Sequence, residues 1–179
     1  MAKVITEAQD RYLISFAKRV VAAAKKRVKP AMATGALEKS IKYKLKETKQ
    51  GFTVEFLSAD YGTFIDKGVS GKEKKRYYKD TDGKRRQSPY KYKNKFPPVG
   101  AIDRWTVLKV GDARDEKGRF IKRKSLVYLI SRKIYLYGIQ GLSFYSTPLR
   151  EELKEFKKGY AVSFKNDFMN TVNTAIKKK

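Results

Sequence analysis

The feature that most constrains the fold is a pair of alternating segments in the first third of the chain. Apolar and polar residues alternate over residues 41–46 and again over 52–56, on either side of the turn-forming Thr-Lys-Gln-Gly at residues 48–51. This period of two predicts an antiparallel β-hairpin at about residues 41–57. One face of the hairpin is apolar and must pack on another layer. The other face carries three lysines: Lys42, Lys44 and Lys46.

Helical patterns flank the hairpin on both sides. Apolar residues recur at helical spacing over residues 5–24, behind a capping box at Thr6, and Pro30 ends this helix. Later helices are predicted around Trp105, from Ser125 to Gly138, and from an N-cap at Thr147, the last one either continuous or broken near Gly159. We therefore predict a single α+β domain over residues 1–179. Its small antiparallel sheet packs against a long N-terminal helix and C-terminal helices.

A basic segment separates these two parts. Residues 72–95 hold eleven lysines and arginines against three acidic residues, a net charge of +8, with four interleaved tyrosines and a turn signal at residues 81–84. The segment has no apolar face of its own, so we expect an insertion at about residues 71–95 that projects from the body. A second, polar loop is expected at about residues 111–124. The basic residues of the insertion are Lys72, Lys74, Lys75, Arg76, Lys79, Lys84, Arg85, Arg86, Lys91, Lys93 and Lys95.

The charge of the whole chain indicates a polyanionic partner. Its 179 residues include 43 Lys and Arg and 18 Asp and Glu, a net charge of +25, well beyond what solubility requires. The segment at 72–95 is the first candidate for contact with DNA or with a neighbouring subunit, and Lys42, Lys44 and Lys46 are second candidates. Lys-rich surfaces bind phosphates without reading sequence. The plainer alternative is a solvated basic surface with no dedicated partner.

Several classes of function are disfavoured by composition. The chain has no Cys and no His, which removes disulfides, Cys/His zinc sites and His-based catalysis. No apolar run approaches the roughly 18 residues of a membrane span, and no secretory signal is recognised. An amphipathic membrane helix at the N-terminus remains an alternative with a modest, Ala-rich face. We expect no cofactor, no membrane and no small-molecule substrate.

A metal-dependent nuclease is the enzyme that the residues leave open. Glu47-Thr48-Lys49 and Glu73-Lys74-Lys75 match a local nuclease fragment, and Asp60 and Asp66 are two carboxylates near each other in sequence. In a chain this rich in lysine, such fragments are expected by chance. We interpret Asp60 as a helix N-cap, and we expect a protein that is not an enzyme.

Residues 58–68, Ser-Ala-Asp-Tyr-Gly-Thr-Phe-Ile-Asp-Lys-Gly, are predicted to be the corner between hairpin and basic segment. Tyr61, Phe64 and Ile65 share one face of a short helical turn, and Gly68 stops it. The aromatic residues are expected to pack, and the acidic residues are expected to cap or to form an interface. The corner then sets the direction in which the basic segment leaves the body.

The order of the motifs resembles that of the tail-completion, or neck, proteins of tailed bacteriophages. The Thr-Gly-Ala-Leu-Glu-Lys-Ser-Ile at residues 34–41 resembles that family's lead into its first strand, and residues 61–68 resemble its Tyr-x-x-Phe/Tyr-x-Glu-x-Gly element, with Asp66 in place of Glu. Phe-Pro-Pro at 96–98 and the C-terminal helices continue the match. The motif residues are Leu37, Ile41, Tyr61, Phe64, Asp66, Gly68, Trp105, Gly138, Phe144 and Pro148.

The resemblance implies a virion structural protein. Members of the family are α+β subunits that form rings between portal and tail, so a homo-oligomeric ring, portal, adaptor or tail proteins, and double-stranded DNA are the expected partners. The protein would be made in the host cytoplasm and end in the virion neck. It would line or seal the DNA channel as a head–tail connector or tail-completion subunit. The alternative is a free, sequence-nonspecific nucleic-acid-binding protein.

Overall fold

The computed structural model describes residues 7–31, 34–48, 51–110 and 113–177. In this part of the chain it has six α-helices and two two-stranded antiparallel sheets, which confirms the predicted α+β class. The helices are α1 Glu7–Val28, α2 Ala36–Ser40, α3 Gly62–Lys67, α4 Val99–Lys109, α5 Arg123–Tyr137 and α6 Ser146–Lys177. The strands are β1 Lys42–Thr48, β2 Gly51–Leu57, β3 Tyr77–Lys79 and β4 Arg85–Gln87. No described helix is both long enough and apolar enough to cross a bilayer.

Helices α1 and α6 form an antiparallel pair that is the main helical unit of the fold. The buried face of α1 includes Phe16, Val20 and Ala24, spaced as its sequence predicts. The carboxylate of Asp167 on α6 accepts hydrogen bonds from the backbone N–H groups of Ala8 (3.2 Å) and Gln9 (3.0 Å). It thereby satisfies free donors at the start of α1 and places negative charge there. The capping box predicted at Thr6 lies outside the described residues.

Helix α6 is continuous for 32 residues and does not break at Gly159. A Cβ at that position would overlap the ring of Tyr12, whose hydroxyl donates to the carbonyl of Phe156. The glycine therefore lets α1 approach α6 closely. Beyond Tyr160 the four-residue apolar step rotates away from α1, and Phe164 and Phe168 are 57% and 59% exposed.

The first hairpin agrees with the predicted range. Strands β1 and β2 pair from Lys42↔Leu57 to Thr48↔Gly51 around residues 49–50. The face that bears Tyr43, Leu45 and Phe56 lies over α1. There the ring centroids of Phe56 and Phe16 are 6.4 Å apart. A two-stranded sheet needs such a partner layer for stability.

Three helices begin at residues other than the predicted caps. Helix α3 follows Tyr61, not Asp60, and has no side-chain cap. Helix α5 begins at Arg123, ahead of Ser125, and α6 begins at Ser146, ahead of Thr147. Capping preferences are local, whereas the start of α6 is held by a side chain from another part of the chain.

Asp66 is the clearest example of such a distant group. Its side chain is buried, and it accepts hydrogen bonds from the backbone N–H of Tyr145 and from the hydroxyl of Ser146, both at 2.8 Å. The corner at residues 58–68 therefore holds the start of α6. Ala59 and Ile65 of the corner pack against the core cluster, whose members are each at most 1% exposed: Ala24, Val28, Leu37, Ile41 and Phe144.

The remaining motif residues occupy different environments. Pro148 is buried in the first turn of α6. Gly68 (φ 73°) and Gly138 (φ 71°) adopt positive φ where two backbone segments meet. By contrast, Tyr61 is 43% exposed, Phe64 is 41% exposed and Trp105 is 40% exposed. Phe64 makes an edge contact with Tyr90, with ring centroids 4.5 Å apart. The packing expected of the corner aromatics is thus only partly present.

Candidate nucleic-acid interface

The basic segment is anchored to the end of α5. The backbone N–H of Lys72 donates to the carbonyl of Tyr135 (2.9 Å), and the N–H groups of Glu73 and Lys74 donate to that of Leu136 (3.0 and 3.3 Å). These carbonyls belong to the last turn of α5, where they have no partner within the helix. The expectation that the segment projects freely is therefore corrected. Its irregular backbone is satisfied by capping a helix.

Arg76 strengthens this anchor. Its Nε donates to the carbonyl of Tyr137 at 2.7 Å, and its backbone N–H donates to the hydroxyl of the buried Ser70 at 3.0 Å. A cation beside the last carbonyls of a helix is electrostatically favourable. Arg76, predicted from sequence as a DNA contact, thus has a structural role as well.

Strands β3 and β4 form a short second hairpin within the segment. Asp80 closes its turn by accepting from the N–H groups of Asp82 (3.0 Å) and Lys84 (2.8 Å), and Gly83 supplies the positive φ of 82°. Asp80 also accepts a hydrogen bond from the guanidinium of Arg86, which is the largest factor lowering the pKa of that carboxyl. Arg86 is therefore already paired, although the pair is solvent-exposed.

Basic side chains converge on a cavity of about 850 Å³ beside this hairpin. Five come from the basic segment, one from the end of α1 and one from the first turns of α6. Among the described residues that line it, the only acidic one is Glu151, which lies 3.8 Å from the guanidinium of Arg27. The seven cations are Arg27, Lys74, Lys75, Arg76, Lys79, Arg85 and Arg150.

The rest of the lining is polar and aromatic. Thr147 and Ser143 place the start of α6 in the cavity wall, where Asp66 already occupies the positive dipole end of the helix. Ser143 has φ 47°, the one positive φ at a non-glycine residue in the described chain. The guanidinium of Arg85 lies over the Tyr77 ring, 4.2 Å from its centroid, which holds the cation at the rim through a cation–π contact.

The structure brings together only part of the predicted set. Lys72, Lys84, Arg86, Lys91, Lys93 and Lys95 do not line the cavity, and they are exposed on the same segment. Lys42, Lys44 and Lys46 lie on the exposed face of β1, and Lys46 forms an ion pair with Glu55 at 2.7 Å. Arg27 and Arg150 were not among the contacts predicted from the sequence. No local pattern distinguishes either residue.

The carboxylates considered for a nuclease are not assembled into a centre. Asp66 has both oxygens engaged at the start of α6, and Asp60, Glu47 and Glu73 are exposed. Within the described ranges, no group of three or more Asp and Glu residues is placed to hold a metal ion. The arrangement that is present can bind phosphates electrostatically.

Comparison of the chain with protein-family models, with curated proteins and with solved structures found no match. Its resemblance to phage tail-completion proteins therefore depends on the motif residues alone.

Proposed function

We propose that this protein is a non-enzymatic structural subunit of the neck of a tailed bacteriophage that binds the DNA backbone through the basic cavity. It acts as a ring-forming head–tail connector or tail-completion subunit in the virion. The observation that supports DNA contact is the convergence of seven cations, from three separate parts of the chain, around a lining with one paired acid.

The chemistry of the cavity fits a phosphodiester better than a neutral ligand. Clustered cations repel one another and are retained at low cost only where a polyanion neutralises them. Lysines and arginines that neutralise phosphates release counterions, which makes binding strongly salt-dependent. Cations that contact phosphates position a protein on the duplex and carry no sequence information. Binding is therefore expected to be independent of sequence.

Assembly into a ring is supported by apolar surface left exposed in the described chain. Val162, Phe164, Phe168 and Met169 on α6 are 46–59% exposed. Exposed apolar groups gathered on one helix favour contacts with other subunits. The motif resemblance supplies the neck as the place where such contacts are made.

A salt titration of DNA binding tests the first part. Affinity for a labelled duplex should fall steeply with salt, with a log–log slope of about 0.9 per phosphate neutralised. The variant Lys74→Gln/Lys75→Gln/Arg150→Gln should reduce both affinity and slope. The matched control, Lys157→Gln/Lys158→Gln/Lys165→Gln, removes the same charge from exposed positions on α6 outside the cavity. Equal losses in the two variants would contradict a dedicated site.

Particle mass tests the second part. The protein should form a closed ring by mass photometry or negative-stain imaging, alone or on DNA, and it should co-purify with virions. A protein that binds DNA but stays monomeric and is absent from particles would instead be a free nucleic-acid-binding protein. Cleavage of the duplex by purified protein with Mg²⁺ or Mn²⁺ would overturn the non-enzymatic assignment.

A further inference from the structure

Helices α4 and α5 pack against each other and leave an apolar groove between them. The groove has a volume of about 600 Å³ and is lined by Phe96, Val99, Val127 and Tyr128. Val127 is buried at its floor, whereas Val99 and Tyr128 are 57% and 58% exposed. Its size is within the range of roughly 300–1,000 Å³ of binding clefts.

The groove continues along α4. A second depression of about 480 Å³ shares Gly100 and Asp103 with the first and extends to Val107 and Leu108, which are 49% and 54% exposed. The two therefore form one strip with Gly100 at its centre. Large apolar side chains that are half exposed and gathered in one place indicate an interaction site, and here they are Val99, Val107, Leu108 and Tyr128.

A buried polar atom in the lining also lacks a partner. Ser131 is 2% exposed and borders the groove, and its hydroxyl has no hydrogen-bond partner among the described residues. Buried hydroxyls in proteins are nearly always paired. An occupant with a polar atom near Val127 and Ser131 would supply what the isolated chain does not.

The charge around the strip indicates the chemistry of the occupant. The strip is lined by one acidic residue, Asp103, and by three basic residues, Arg104, Arg123 and Lys124. Asp103 is already bonded to Arg123, which leaves Lys124 and Arg104 as basic groups at the strip. A second copy of this chain, at +25, would bring more positive charge to the same place. Acidic groups complement this rim, and basic ones do not.

We infer that the α4–α5 strip docks a segment of another protein that carries apolar anchor side chains flanked by acidic residues. The strip is open and elongated, with its walls half exposed, which suits a peptide segment better than an enclosed small molecule. Apolar anchors would fill the groove over Val127, and flanking carboxylates would meet Lys124 and Arg104. This inference does not depend on DNA binding or on the neck assignment.

The test uses the full-length protein and three labelled peptides. The probe is the peptide Asp-Glu-Glu-Leu-Phe-Glu-Leu-Glu-Asp, the second has its Leu and Phe replaced by Ser, and the third has its acids replaced by Gln. Fluorescence anisotropy should give tight binding only for the probe. If the Ser peptide binds as tightly as the probe, the binding is only general charge attraction. If the Gln peptide binds as tightly as the probe, acidic residues are not needed for docking. Either result overturns the inference.

A steric block locates the site. A Cβ at Gly100 meets no atom within 4 Å, so Gly100→Trp can fill the strip without disturbing the helix pair. The matched control is Ala101→Trp on the exposed neighbouring position, which does not line the strip. Gly100→Trp should weaken the probe at least about tenfold, as loss of a central anchor site does, while the control binds as the parent protein does. Equal binding by both variants would refute the location.

A second variant covers the case in which Gly100→Trp does not fold. Tyr128→Ser removes an exposed wall of the groove and should also weaken the probe. Sedimentation without peptide supplies the other outcome: self-association abolished by Gly100→Trp would identify a second copy as the occupant and overturn the inference. The cavity variant Lys74→Gln/Lys75→Gln/Arg150→Gln should keep peptide binding, and Gly100→Trp should keep the salt slope on DNA. Failure of one proposal is thereby distinguished from failure of the other.

Discussion

Replacement of Asp66 tests whether the corner at residues 58–68 holds the start of α6. The carboxylate is 7% exposed, and its two oxygens accept hydrogen bonds from the Tyr145 N–H and the Ser146 hydroxyl. Asp66→Ala removes both acceptors and leaves two polar groups without their partner. It also removes a negative charge from the positive end of a 32-residue helix.

The expected cost follows from these contacts. Hydrogen bonds to a charged group contribute about 1.5–3 kcal/mol, and charge at a helix N-terminus adds about 0.3–1 kcal/mol. Because the two bonds share one carboxylate and are not additive, we expect a loss of about 2–4 kcal/mol in unfolding free energy for Asp66→Ala. For a chain of this size, that lowers Tm by roughly 5–15 °C. Asp66→Asn keeps one acceptor oxygen and should cost less than half as much.

Urea unfolding followed by circular dichroism measures the difference. The control is Asp60→Ala, because Asp60 is an exposed carboxylate in the same corner and its change should stay within about 0.5 kcal/mol. A double-mutant cycle with Ser146→Ala should give a coupling energy above about 0.5 kcal/mol. If Asp66→Ala costs no more than Asp60→Ala, the carboxylate does not hold α6, and the assignment of the corner is wrong.

Three further predictions follow from other contacts. Gly138→Ala should lower the Tm far more than Gly118→Ala. Both glycines have positive φ, but only at Gly138 would a Cβ overlap a neighbouring backbone segment. Equal decreases in Tm would contradict this reasoning. Burial, with a smaller effect of Asp66, raises the pKa of Tyr145 to about 12, so its contribution to stability should be complete below pH 10 and be lost as pH rises from 10 to 12. Tyr145→Phe, which loses the hydrogen bond to the Leu57 carbonyl, should remove that part of the alkaline slope in urea titrations; an unchanged slope would refute it. A triple serine variant of the second hairpin should have a Tm within a few degrees of the parent protein, because exposed charges contribute little to stability. It should nevertheless bind DNA more weakly. An unfolded variant would show that the second hairpin is part of the core. The serine substitutions are at Lys84, Arg85 and Arg86.

Local sequence patterns were sufficient for the elements that depend on near neighbours. The alternation of residues 41–56 placed the first hairpin, since a period of two specifies which face is buried. The apolar spacing of α1 and the density of lysines at residues 72–95 likewise predicted a long helix and a basic segment. Each of these follows from contacts or charges within a few residues along the chain.

Only the tertiary structure decided which distant groups meet. Asp66 bonds to residues 79 and 80 positions away, and Asp167 bonds to the start of α1 across more than 150 positions. The packing of α1 and α6 beside the basic segment brings Arg27 and Arg150 to its cations, although neither residue has a distinguishing local pattern. A charge or capping signal in sequence states what a residue can offer. Its partner is set by how the helices pack, because a buried polar group must be satisfied wherever the fold places it.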